Sequence, residues 1–265
     1  MKESSVLIIG SGNAASFLCR SLHCAGVKIE GIIARNPERG KLLAAGAETQ
    51  WKSSFVPPES EKTIIISAVK DSAAQELWQK CSFGGNLVLH TAGALSLKDL
   101  APYARNCGVL YPLQTLSASR IIESVKVPFL IEANSKENLA RLRQLAAALS
   151  PMVQECSSET RKKLHLAAVF ANNFSNLCFQ IAWELAEKAG VAPEILLPII
   201  EESCAKLRHL SPAEAQTGPA VRWDENIMQK HLELLADMPE AAALYRQASA
   251  GIHRRKKQLQ QFREQ

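Results

Sequence analysis

Residues 6–15 read VLIIGSGNAA, an apolar run that passes without a polar break into two glycines one residue apart and then into small side chains. An apolar run without alternation is a strand covered on both faces, as a parallel sheet flanked by helices requires. Gly10, Gly12 and Ala15 give G-x-G-x-x-A where that strand meets a helix. There the first glycine makes a tight turn, the second lets a pyrophosphate approach the backbone, and the small third residue lets helix and sheet pack closely. Free N–H groups and the positive end of the helix dipole face the phosphates. Gly10, Ser11, Gly12, Asn13 and Ala14 are therefore the expected dinucleotide cradle, with a tight turn lacking any ligand as the plainer alternative.

The chain up to Cys156 repeats this alternation of strand and helix. Strands are expected at 6–10, 29–34, 63–69, 86–90, 108–111 and 128–133, with weaker ones at 47–51 and 152–156. Amphipathic segments such as 14–25, 72–80 and 136–149 lie between them. The pattern predicts an α/β fold with a doubly wound, mostly parallel sheet. From Ser157 no run resembles a strand and the apolar residues fall at helical spacing. Residues 158–189 read as one long helix, followed by 193–210, 224–236 and 239–261, with breaks near Ser211-Pro212 and Gly218-Pro219. Residues 1–156 are thus the expected dinucleotide-binding domain and 157–265 an all-helical second domain.

At 265 residues and 47 % hydrophobic content the chain can bury a sizeable core. A net charge of +5 falls short of the basic stripe of a nucleic-acid binder and suits small anionic ligands better. With no signal-like start and no apolar run long enough to span a membrane, the cytoplasm is the expected location. The seven cysteines are scattered, without metal-ligand spacing, and read as reduced, mostly buried thiols; no metal site is expected.

The end of the second strand should meet the adenosine ribose, where an NAD site places an acidic residue. Here the residues are Ala34-Arg35-Asn36-Pro37, and Glu30 comes too early to replace the acid. An arginine pairs with a 2′-phosphate, so NADP(H) is expected over NAD(H), with Arg35 and Asn36 at that subsite. A solvated arginine before a turn is the alternative.

Ligands of such sheets lie beyond the carboxyl ends of the strands. Three exits stand there: Ala68-Val69-Lys70-Asp71, His90-Thr91-Ala92-Gly93, and Tyr111-Pro112-Leu113-Gln114-Thr115. Ala68, Val69, Lys70 and Thr91 are assigned to the cofactor, and Tyr111 and Gln114 to the substrate. Equally, Lys70 and Asp71 could only start a helix, His90 could be a buried imidazole with its needs met, and Tyr111 could be core.

The segment LHLAAVFANNFSNLCF places polar residues inside an apolar helix. At about 100° per residue, His165, Asn172 and Asn176 fall within roughly 20° of one line, with Asn173 to one side. Such a stripe needs partners, either other helices or the wall of a substrate cleft. In a cleft, a histidine, whose ordinary pKa lies near neutrality, suits the proton transfer that accompanies hydride transfer, and an asparagine amide suits a carbonyl or imine. Arg222 either grips a substrate carboxylate or pairs with Asp224.

Taken together, VLIIGSGNAA, VLHTAGALS, YPLQTLS, LHLAAVFANNF and TGPAVRWD resemble a bacterial family of Rossmann-like NADP oxidoreductases whose helical C-terminal domain has no assigned function. That family is similar to pyrroline-5-carboxylate reductase, ketopantoate reductase, the deazaflavin-dependent NADP reductases and the β-hydroxyacid dehydrogenases. The resemblance implies that the helical domain closes the active site and packs into a homodimer. It selects His90, Gly93, Pro112, Gln114, His165, Asn173, Gly218, Pro219, Arg222 and Asp224, and so favours Asn173 where helix geometry favours Asn172. Many relatives carry histidine in place of Tyr111, and Lys163 lies nine residues before Asn172 rather than the single turn that lysine catalysis would need. The expected function is NADP(H)-dependent hydride transfer to or from a small carbonyl or imine, with catalysis by His165, Asn173, Asn172 and His90. A nucleotide-sensing binding protein and a dimerisation module with a vestigial glycine loop are the alternatives.

Overall fold

The computed structural model describes residues 5–117 and 120–263. Eight strands, β1 (Val6–Ile9), β2 (Ile29–Ile33), β3 (Trp51–Lys52), β4 (Ile64–Ser67), β5 (Leu87–His90), β6 (Asn106–Pro112), β7 (Phe129–Ala133) and β8 (Val153–Glu155), form one sheet in the order β3-β2-β1-β4-β5-β6-β7-β8. Pairing is parallel throughout except between β6 and β7, so this is a doubly wound, Rossmann-like sheet. The chain winds one way from β1 to β3 and the other way from β4, leaving a topological switch point between β1 and β4.

Six helices accompany the sheet: α1 (Asn13–Cys24), α2 (Pro37–Gly46), α3 (Asp71–Gln79), α4 (Leu97–Leu100), α5 (Lys136–Leu149) and α6 (Ser158–Ala168). The strands carry apolar residues on both faces. Val6, Ile8, Ile64, Ile66, Leu87, Leu89 and Leu110 share one core with α1 and α5. Leu7, Ile9, Ile65, Val88 and Cys107 share the opposite core with Trp78 of α3 and Leu100 of α4. Side chains alternate faces along a strand, so one apolar run fills two cores.

The weak strand expected at 47–51 shrinks to Trp51–Lys52, because the end of α2 turns through Glu48 with φ of 50°. The single helix expected over 158–189 is also corrected. It is α6, then a π-helical turn at Val169–Phe174, then α7 (Ser175–Lys188). The wider turn breaks the 100° spacing, so His165, Asn172 and Asn176 do not keep one phase.

The chain divides into two compact units, Met1–Phe174 and Ser175–Gln265. The second contains α7, α8 (Leu197–Lys206), α9 (Pro212–Ala215), α10 (Pro219–Arg222), α11 (Glu225–Leu234) and α12 (Pro239–Arg263). Its buried apolar cluster is small, centred on Leu235, Ala241 and Ala242 with Ile181, Leu185 and Tyr245 against it. Two of its short helices begin at Pro212 and Pro219, where proline's fixed φ and missing donor suit a first turn.

Candidate functional site

The glycine loop lies at the switch point. Gly10 has φ of 127°, and a Cβ there would sit 2.3 Å from the Ala68 carbonyl oxygen at the exit of β4. Only glycine meets both demands. A Cβ on Gly12 would instead meet open space, which leaves room for a ligand to approach the backbone. Gly12 caps α1 without any side-chain bond, and the first turn of α1 contains no acidic residue. The positive end of α1 is therefore open to an anion. The Asn13 side chain does not face that opening freely: its Nδ2 donates to the Leu116 carbonyl at 2.9 Å and ties the loop after β6 to the glycine loop. Ser11 and Ala14 are half-buried beside it.

At the exit of β2, Arg35 is exposed while Ala34 is buried. The Asn36 Oδ1 accepts from the Arg39 N–H at 2.9 Å and caps α2, so Asn36 first serves the helix start. Trp51 braces this corner, donating from Nε1 to the Ala34 carbonyl at 3.0 Å, and Gly40 is without a Cβ because the indole occupies that space. Neither Trp51 nor Gly40 stands out by sequence spacing.

The C-terminal ends of the parallel neighbours β4, β5 and β6 lie side by side at one end of the sheet. Ala68 and Val69 line the turn beside Gly10, while Lys70 is exposed and precedes α3. Thr91 is half-buried at the end of β5. Gln114 is exposed and its Oε1 accepts from the Thr115 N–H within its own loop.

His90 departs from its expected role. It is 1 % exposed and tilted against Trp78, whose Nε1 donates to Ser67 Oγ at 2.9 Å. Its Nδ1 accepts from the Ala92 N–H at 3.2 Å. Burial, reinforced by the Arg161 guanidinium, holds its pKa down at about 4. This neutral, enclosed imidazole braces the exit of β5.

Tyr111 and His165 come together instead. Tyr111 Oη lies 3.0 Å from His165 Nδ1, with the rings edge to face. Gly93 closes the arrangement: a Cβ there would sit 2.5 Å from His165 Nδ1 and 3.1 Å from Tyr111 Cζ. Burial and the Asp71 carboxylate both push the Tyr111 phenol above its ordinary range, so it remains a neutral hydroxyl. Partial burial raises the Asp71 carboxyl above its ordinary range, opposed in part by the nearby His165 imidazole. Asp71, at the start of α3 and at the strand exit singled out in the sequence, thus joins this corner.

Behind His165 lies a polar network that sequence inspection missed. Arg161, 0 % exposed, donates from one terminal nitrogen to Glu132 Oε2 at 2.7 Å. The other nitrogen donates to the Leu95 carbonyl at 2.6 Å and to Ser158 Oγ at 3.2 Å. Ser158 Oγ is itself 2.6 Å from Glu132 Oε2 and accepts from the Leu97 N–H at 2.9 Å. Two signals were available: a glutamate inside the apolar strand FLIEA, and an arginine near the positive end of a helix, where cations are disfavoured unless paired.

Asn172 and Asn173 are exposed within the π-helical turn. In the second unit, Asn176 lines an open groove with Phe179, Gln180, Trp183 and Ile200. Arg222 is exposed and does not pair with Asp224, whose carboxylate caps α11 by accepting from the Ile227 N–H at 3.2 Å. The cysteines are all free, but only Cys19 and Cys107 are buried, while Cys24, Cys178 and Cys204 are exposed, so the expectation of mostly buried thiols is corrected. Among the described residues no group of three or more His, Cys, Asp or Glu could hold a metal ion, and no helix is long and apolar enough to cross a membrane.

A glycine-rich turn at the switch point of a doubly wound parallel sheet defines a Rossmann-like protein with a helical C-terminal region. A protein from Bacteroides fragilis described as a putative NADP oxidoreductase has 37 % sequence identity and a TM-score of 0.87, over 94 % of this chain and 98 % of that one. The chain belongs to this family of Rossmann-like, NADP-oxidoreductase-type proteins. Residues 127–252 match the domain of unknown function DUF2520.

Two more distant structures share the fold alone. A 1-pyrroline-5-carboxylate reductase from Streptococcus pyogenes has 16 % identity and a TM-score of 0.63, over 94 % of this chain and 98 % of that one. An imine reductase from Myxococcus stipitatus, in complex with NADP+, has 14 % identity and a TM-score of 0.64, over 96 % and 93 %. No curated protein matches the sequence.

Proposed function

We propose that the protein is an NADP(H)-dependent oxidoreductase acting on a small carbonyl or imine compound. The observation that carries this reading is the Tyr111–His165 pair, at the strand ends on the same sheet whose switch point presents the glycine loop. Gly12 and the uncapped start of α1 would hold the pyrophosphate, and Arg35 would meet the 2′-phosphate. The nicotinamide, when bound, supplies or accepts the hydride. His165 gives a proton to the oxygen or nitrogen of the reduced centre or takes it in the reverse direction, using Nε2 because Nδ1 is engaged by Tyr111.

Asn173, or Asn172 beside it, offers an amide to the substrate. Tyr111 acts through His165 rather than as a separate substrate contact. The helical unit exposes Ile195 and Ile199, both 66 % exposed, along with Leu197 and Phe179, and this supports a homodimer that covers them. Sedimentation of wild type and of Ile199→Asp tests that assembly, with dimer expected for the first and monomer for the second.

The decisive test is titration with NADPH and NADH, followed by a screen of keto acids and cyclic imines. Tight NADPH binding and turnover that falls in His165→Gln with NADPH affinity retained support the reading. Binding without turnover of any compound would favour the nucleotide-sensing alternative. Absence of binding would refute both.

A further inference from the structure

Arg161 sits on α6 one helical turn before His165, so the two side chains share a face and stand about 6 Å apart along the axis. On the sheet, Glu132 pairs with Val109 of β6, and Tyr111 lies two residues further along that strand. Two strand residues advance about 6.8 Å and place Tyr111 on the same face as Val109. The two rises nearly match. A helix fixed to the sheet at Glu132 through Arg161 therefore delivers residue 165 level with Tyr111.

The guanidinium also holds the other side of the pocket. Its second nitrogen bonds to the Leu95 carbonyl, two residues beyond Gly93, and Gly93 is the residue whose missing side chain makes room for the imidazole. One planar fork thus sets both the helix that carries His165 and the loop against which His165 rests. We propose that Arg161 is a positioning residue for the proton-transfer site, and that its bidentate hold on Glu132 and Leu95 fixes the Tyr111–His165 hydrogen bond. A lysine in its place has a single ammonium centre and cannot match both directions of the fork.

This proposal takes its functional meaning from the reading of His165 as the proton donor, yet its test needs no substrate. The full chain is labelled with nitrogen-15 at histidine, and the His165 ring signals are assigned by their loss in His165→Gln. Tyr111→Phe supplies the reference for a ring without the hydrogen bond. In Arg161→Lys the His165 signals are expected to move to the Tyr111→Phe positions. In Ser158→Ala, which retains the ion pair and provides a milder variant should the lysine variant not fold, they are expected to move part of the way.

Leu142→Ala, a cavity in the opposite core, lowers stability without touching this network and should leave the His165 signals in place. Unmoved His165 signals in folded Arg161→Lys or Ser158→Ala would overturn the proposal. So would an equal displacement in Leu142→Ala, because the effect would then be loss of stability alone. Unchanged turnover in His165→Gln would remove the proton-donor reading and leave the positioning result standing.

Discussion

The two compact units solve the problem of burial differently. The first covers both faces of an eight-stranded sheet, and even its charged Arg161 lies wholly inside. The second has a small apolar cluster and leaves Ile195, Ile199, Leu207 and Leu234 exposed. The sheet unit encloses polar groups deeply enough to fix their charge and direction. In the helical unit the ion pairs Lys188–Asp237 and Lys206–Glu202 stand exposed.

That contrast predicts unequal answers to the same substitution. Removing a buried partner with Arg161→Met should cost the sheet unit about 3–5 kcal/mol, because the Glu132 carboxylate loses its buried partner. Urea unfolding measures it. The matching change in the helical unit, Lys188→Ala, breaks the exposed pair with Asp237 and should leave the midpoint unmoved. Equal losses would break the comparison.

Acid should expose the same asymmetry. His90 is neutral in the fold at a pKa of about 4, against an ordinary 6.5. Between those values the unfolded chain binds a proton that the folded one does not. Its contribution to stability is therefore complete above pH 6.5 and is lost as pH falls toward 4, by about 3 kcal/mol in all. Unfolding curves at pH 7 and pH 4.5 should differ in wild type, and the difference should shrink in His90→Phe. A slope that persists unchanged would place the titrating group elsewhere.

Ligand affinity tests the sheet unit in a third way. Arg35→Ala should weaken NADPH binding by about ten- to hundredfold, the loss of one or more charge-assisted hydrogen bonds, and leave NADH binding alone. Fluorescence titration of the nicotinamide reads both. A smaller effect, though above that of Lys188→Ala, is expected in the helical unit, where Asp224→Ala removes the cap of α11 and should cost about 1 kcal/mol.

Much of the sheet unit was legible because its signals are local. An unbroken apolar run such as VLII specifies a strand, and a glycine that must adopt φ of 127° against a neighbouring carbonyl stands out in the sequence. The π-helical turn at Val169–Phe174 was not legible, since the apolar spacing around it suits an ordinary helix. His90 and His165 are both candidate catalytic residues in the sequence. The fold separates them, burying one beneath Trp78 and setting the other against Tyr111.

By itself the sequence determined the alternation of strand and helix, the doubly wound class and the place of the glycine-rich loop, because each depends on periodicity or backbone conformation within a few residues. Tertiary structure alone decided which polar groups meet. Arg161 finds Glu132 across 29 residues, and His165 finds Tyr111 across 54. Such pairs are set by strand order, register and the length of one helix, and a buried charge acquires its partner only when the surrounding surfaces close over both.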